Sequence, residues 1–162
     1  MTYSKSLWSY NPIPRGCVYY APFFGLRGPV FKDVGPIGHE STITGTTRAG
    51  NGALILDGDD DVELTNVLTR SLATTTKGTW LAWVYFDDVI PAADTEIISF
   101  GDTSANAFIG LRLKASGLFE AVALVTAETK FLVDTDSAPF TVATWHRVGL
   151  VQDGTSPVLY IG

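Results

Sequence analysis

The sequence predicts an all-β protein, a two-sheet antiparallel β-sandwich of the jelly-roll type, and three observations carry that expectation. Short apolar segments of period two recur along the chain, while helical spacing is confined to one brief stretch. Turn-forming pairs such as Ser116-Gly117 and Asp153-Gly154 separate these segments at hairpin spacing. One run, Trp80 to Phe86, is apolar at every position, as a strand covered on both faces would be, and is expected to be a central strand of the sandwich.

The bulk composition narrows the classes. With 162 residues the chain suits one domain with a two-layer core, and 46% apolar against 17% charged residues fits a folded rather than a disordered protein. A net charge of -6 argues against nucleic acid and anionic membranes as partners, because both need clustered Lys and Arg. No apolar run approaches the roughly 18 residues that span a bilayer, so no membrane insertion is expected. The opening MTYSKSLWSY lacks the apolar core of a secretory signal. An extracellular or virion-associated role would then require another export route, carriage on a larger particle, or a longer chain. Cys17 is the sole cysteine, and its apolar setting reads as a small buried hydrophobe rather than a nucleophile.

Taken in order, residues 1–15 hold two prolines and no periodicity, so they are expected to form an extended arm whose Trp8 and Tyr10 dock elsewhere, ahead of a sandwich over residues 16–162. Cys17 to Phe24 reads as an edge strand, since Pro22 cannot donate to a ladder. A Gly- and Pro-rich loop follows, and then a short strand from His39 to Thr44. Leu54 to Phe86 reads as a strand, a tight acidic turn at Gly58, a second strand, a polar loop and the apolar run; Gly58 supplies the positive φ of the turn, and flanking Asp side chains bind its backbone. Asn66 to Ala73 is the single helical candidate. Strands are expected at Glu96–Gly101, Ala107–Lys114, Leu118–Val125, Lys130–Val133, Trp145–Gln152 and Val158–Ile161, for about eleven in all. In AFIGLRLK, Ala107, Ile109, Leu111 and Leu113 share one face while Arg112 and Lys114 share the other, the pattern of a half-solvated strand.

Three segments in this order resemble the laminin G-like, concanavalin A-like jelly-roll family: LILDGDDDVEL its strand-turn-strand motif, GTWLAWVYF its apolar strand, and WHRVGLVQDGTSPVLYIG its late Trp-His hairpin. VYYAPFF and the later Phe31-Lys32-Asp33-Val34-Gly35 are similar to the family's opening, with Val62 and Val34 departing from its usual aromatic and Ser. The likeness covers most of residues 16–162. It implies two antiparallel sheets, a non-catalytic recognition or adhesion role with glycan or protein ligands, and a setting in a phage virion or on a bacterial surface; a structural or assembly module of a larger particle is the alternative. It also implies that Trp83 and Trp145 are core residues, and that calcium, if bound, sits at the loop of Asp33, Gly35 and His39.

The remaining candidates come from the residues themselves. Alternation places Asp59, Asp61 and Glu63 on one face, where three carboxylates could hold calcium or share a proton, although capping of a tight turn is the simpler role. The string fails as an EF-hand loop, since Val62 and Leu68 stand where Gly and Glu are required. A glycoside hydrolase would need paired carboxylates flanking the scissile bond, and the Glu-x-Asp-x-x-Glu string that the resemblance to this superfamily's hydrolases implies is absent. His39 is expected as a solvated or capping loop residue and His146 as pointing to solvent or a neighbouring strand, and no His or Cys spacing matches zinc. Sugar rings stack on exposed aromatics, so Trp83 and Tyr85, with Arg112 on the polar side of its strand, are the ligand-binding candidates. The family's final strands have no counterpart after Ile161, so an open strand edge is expected, covered by a second copy in a homo-oligomer or by a longer chain.

Overall fold

The structure is a computed structural model that describes residues 16–22, 29–35, 37–49, 52–65, 67–68, 77–101, 107–153 and 156–162. The predicted arm, residues 1–15 with Trp8 and Tyr10, lies outside the described residues. The chain forms two compact units, Met1–Ala73 and Thr74–Gly162. Every strand pairing is antiparallel, and the class is all-β as predicted. Among the described residues no helix is long and apolar enough to cross a membrane.

In the first unit, β1 (Val30–Lys32), β2 (Glu40–Thr44) and β5 (Asp61–Leu64) form a sheet in the order β1-β2-β5, and β3 (Thr47–Arg48) pairs with β4 (Leu54–Ile55). Period-two alternation turns Phe31 and Ser41 inward and leaves their strand neighbours exposed. Gly58 has φ 103°, as the acidic turn requires, and Asp57 N–H donates to Asp60 Oδ2 at 3.2 Å. The strands either side of that turn do not pair with each other, contrary to the predicted strand reversal: β3 takes up β4 and β2 takes up β5, so the turn passes the chain between two sheets. Residues 17–22 form no strand either. Their inward alternation survives at Cys17 and Tyr19, but Tyr20 N–H goes to the Asp33 carboxylate instead of a ladder, and Pro22 has no N–H to give. Phe23 and Phe24 lie outside the described residues. β1 falls where a loop was predicted, hidden by Pro29 and Asp33 at its ends. Of the helical candidate Asn66–Ala73, Val67 and Leu68 are helical and the rest lies outside the described residues.

The second unit holds two sheets, β10-β9-β8-β7 and β12-β11-β6, made of β6 (Lys77–Tyr85), β7 (Thr95–Gly101), β8 (Phe108–Leu113), β9 (Phe119–Val125), β10 (Glu128–Asp134), β11 (Trp145–Asp153) and β12 (Val158–Ile161). Leu111, Leu113, Phe119 and Ala121 of one sheet pack with Val148 and Leu150 of the other, joined by Phe140 and lined by Trp80, Ala82 and Val84. Each fully buried Leu here contributes about 1.5–3 kcal/mol relative to exposure. This is sheet-on-sheet packing.

The apolar run Trp80–Phe86 behaves differently from its prediction. β6 pairs only with β11 among the described residues, and its odd-numbered side chains Leu81, Trp83 and Tyr85 are exposed, so it is covered on one face and not two. Trp83 and Trp145, expected in the core, are 66% and 42% exposed. Core packing selects Val148 and Leu150 as the inward phase of β11, and the pairing then turns both Trp residues outward.

Gly117, φ 81°, closes the β8–β9 hairpin at Ser116-Gly117 as predicted. The two-residue β9–β10 turn is less expected: Thr126 (φ 54°) and Ala127 (φ 61°) both occupy the left-handed region that such a turn demands and that Asn-Gly usually supplies. Replacing the pair (Thr126→Asn with Ala127→Gly) should stabilise the protein by about 1–2 kcal/mol, seen as a higher urea midpoint at unchanged slope. An unchanged or lower midpoint would show that the turn stores no strain.

Candidate functional site

Four places hold the candidate residues. The first is the loop after β1. Asp33 is only 5% exposed, and its carboxylate accepts the backbone N–H groups of Tyr20 and Gly35 on Oδ1 and of His39 on Oδ2; its own N–H donates to the His39 carbonyl at 2.9 Å. Asp33, Gly35 and His39 are therefore together, as the calcium expectation required, but the carboxylate is turned to backbone donors. A Cβ at Gly35 would collide with Asp33 Oδ1, so glycine is needed for that close approach. His39 is buried, not a solvated loop residue. Among the described residues no three His, Cys, Asp or Glu side chains are grouped to hold a metal. Behind this loop Tyr19 Oη and Ser41 Oγ share a hydrogen bond of 3.0 Å, and burial pushes the Tyr19 phenol above its ordinary range.

The second place is the acidic turn. Asp61 and Glu63 share the exposed face of β5, opposite Thr44 and Thr42, and Asp59 is exposed in the turn before them. Asp60, which the alternation left out, is the acid that binds the turn's backbone. These carboxylates serve the turn and the solvent.

The third is Arg112, on the outer face of the four-stranded sheet. Its Nε donates to Glu120 Oε1, and Nη1 lies 3.7 Å from Asp94 Oδ2 and 4.0 Å from Glu96 Oε1. Lys114 Nζ is 2.8 Å from Glu120 Oε2, and Asp134 stands opposite Glu120 in the ladder. Glu120 has no exposed surface, so this face is not the half-solvated one that AFIGLRLK predicted. Burial pushes Glu120 up, but hydrogen bonds from Lys114, Asp134 and Arg112 outweigh it and hold the carboxyl below its ordinary range. Asp134 is raised by burial and by its hydrogen bond to Glu120, and Glu96 is raised by burial against the pull of Arg112.

The fourth place is the outer face of β12-β11-β6. Register sets Tyr85 opposite Trp145, Trp83 opposite Arg147, and Leu81 opposite Gly149, which in turn faces Tyr160. Leu81 and Tyr160 are 64% and 53% exposed, and Tyr85 and Trp145 meet at a tilted 55° with ring centroids 5.5 Å apart. Trp83 and Tyr85 thus share this exposed face, whereas Arg112 lies on the opposite outer face. Tyr160, an aromatic of the sort that stacks on sugars, joins them there with Trp145, which was expected in the core; Arg147 was not foreseen, although counting by twos from Trp145 finds it. His146 points inward: its ring stacks edge-on to Phe140 at 5.0 Å, and Nε2 lies 3.1 Å from Thr141 N, which donates to it.

Two outcomes follow from these geometries. Asp33→Ala strands three backbone donors and should cost about 2–4 kcal/mol in chemical denaturation, Asp33→Asn less; an Ala variant as stable as the parent would remove the loop's structural role. Glu120 and Glu96 should respond to pH with opposite sign. A lowered carboxyl stabilises the fold where it is ionised and loses that contribution as pH falls through its folded pKa; a raised one penalises the fold where it is ionised. Glu120→Gln should therefore lose about 3–5 kcal/mol at neutral pH, a loss that shrinks on acidification, while Glu96→Gln should gain stability at neutral pH and nothing well below pH 4.5. Parallel curves for the two variants would refute the assignment.

No protein family matches the chain, and no curated protein is similar to it in sequence. Among solved structures it is similar to an S-layer domain-containing protein fragment, residues 221–444, from Clostridium thermocellum, with a TM-score of 0.59 and 22% identity over 88% of this chain and 67% of that one. At that identity the likeness is one of fold, and it agrees with the antiparallel all-β architecture.

Proposed function

We propose that this chain is a non-catalytic recognition module of a cell-surface or particle-surface protein, and that it binds glycan on the outer face of β12-β11-β6. The observation that carries the reading is the set of side chains on that face: Leu81, Trp83, Tyr85, Trp145 and Tyr160 are all exposed on one continuous sheet surface. Folding gains nothing from leaving them in water, and the apolar faces of pyranose rings stack on Trp and Tyr while their hydroxyls stay hydrated. The fold likeness to an S-layer domain-containing protein supports a surface setting. The motifs shared with the laminin G-like family support a jelly-roll sandwich of concanavalin A-like type. A hydrolase would need a free pair of carboxylates against the bound sugar, and Glu120 is engaged by Lys114 and Arg112 instead.

A second reading is an assembly module, favoured by β6, whose far edge has no ladder partner among the described residues and offers a template for another strand. The two separate in one experiment. Retention on a panel of immobilised polysaccharides, with and without chelator because the Asp33 loop is the expected calcium site, should be about tenfold weaker in Trp83→Ala and in Tyr160→Ala at unchanged stability, near 1.4 kcal/mol each. Failure to bind any glycan, with self-association lost in Trp83→Ala, would give the face to assembly.

A further inference from the structure

Arg147 sits in the middle of the aromatic face. It is opposite Trp83 on β6, two residues from Trp145 along β11, and exchanges both backbone hydrogen bonds with Gly162 beyond β12, Arg147 N–H to Gly162 O at 2.8 Å and Gly162 N–H to Arg147 O at 2.9 Å. A Cβ at Gly162 would lie 3.2 Å from Arg147 Nη2 and 3.7 Å from Nε, so the guanidinium lies across that glycine and over the sheet. The side chain is exposed.

Its charge is unanswered. Lys32, Lys77, Arg112, Lys114 and Lys130 each have a carboxylate partner, and among the described residues Arg147 has none. The face around it carries no acidic side chain from Thr79 to Tyr85, from Trp145 to Val151 or from Val158 to Gly162; Asp153, at the far end, is paired with Lys77. A chain of net charge -6 thus presents, amid exposed aromatic rings, a cationic fork with no carboxylate partner among the described residues.

We propose, building on the glycan reading above, that this face selects carboxylate-bearing pyranose polymers, with Arg147 as the carboxylate clamp and Trp83, Trp145 and Tyr160 as the ring-stacking surface. A planar guanidinium matches a carboxylate with two parallel hydrogen bonds, and that match strengthens as bound rings exclude water. A neutral sugar at the same place would partly desolvate the cation and give it no partner, so the charge discriminates against neutral glycans as well as for acidic ones. Polyol phosphate chains supply an anion but no ring face for the aromatic side chains, which favours the uronic acid class.

Oligogalacturonate, oligoglucuronate and oligomannuronate, each beside its methyl ester, form the test by calorimetry on the full chain. The native protein should bind at least one acid form about tenfold or more tighter than its ester, a preference that falls with added salt. Arg147→Gln should erase the preference and keep binding to the ester, because stacking remains, and Arg147→Lys should restore only part of it. Equal affinity for acid and ester, or a preference that persists in Arg147→Gln, overturns the inference and leaves the glycan reading standing. Binding of no acid and no ester, with the native fold intact and neutral polysaccharides also unbound, overturns both.

Discussion

One register governs the second unit. β6 and β11 pair residue for residue from Lys77 opposite Asp153 to Tyr85 opposite Trp145, and a strand's side chains alternate strictly between its two faces. Once Val148 and Leu150 are committed to the core, the phase of β6 is settled: Trp80, Ala82 and Val84 go in, and Leu81, Trp83 and Tyr85 go out with Trp145 and Arg147. A slip of one residue would exchange the two sets and bury a guanidinium in the core, so the core and the exposed aromatic face are specified together. Gly149 belongs to the same arrangement. Its missing side chain lets Leu81 lie over the strand, where a Cβ would come within 2.6 Å of Leu81 Cδ2 and 2.9 Å of the Trp80 carbonyl.

The outer faces of the two sheets answer their polar demands in opposite ways. On the four-stranded sheet a fully buried carboxylate is held by two cations, and the remaining acids are distributed around Arg112, so nearly every charge has a counter-charge. Such a network is costly to break and gives a ligand little to recognise, because its donors are already used. On the three-stranded sheet the balance is reversed: large apolar side chains stand exposed, and the Arg147 guanidinium has no ion-pair partner among the described residues.

Much of this was legible beforehand, and the misses share physical causes. β7 to β12 fall within a residue or two of the segments read from alternation, and the Ser116-Gly117 and Gly58 turns adopt their positive φ values, because period and turn chemistry are local properties. Burial is not local. An all-apolar run is equally compatible with a strand covered twice and with one covered once, which is why β6 was expected to be covered on both faces; Trp83 and Trp145 were misplaced because family resemblance carries no burial information for this chain. Pairing partners are also non-local, so the acidic turn was recognised while β4 and β5 were wrongly joined across it. Thr126-Ala127 carried no turn signal, since neither residue favours the left-handed region it occupies. Arg112 and Arg147 show the sharpest limit: both stand on outward phases of neighbouring sheets, and only the cross-strand acids, unknowable without register, reveal that the first is paired and the second is not.

The unpaired guanidinium also bears on the choice between a ligand and a second copy as the natural occupant of the face. A symmetric dimer through this surface would be isologous, setting the patch against itself. The patch offers Arg147 and apolar side chains but no acid between Thr79 and Tyr85 or between Trp145 and Val151, so the partner copy could not supply the missing anion. Two guanidinium groups would instead be drawn toward each other in an interface that excludes water, where an unpaired charge is costly and a like pair more so. The apolar rings alone would suit either occupant. The cation weighs against a second copy seated face to face, because no acidic side chain on these strands would meet it.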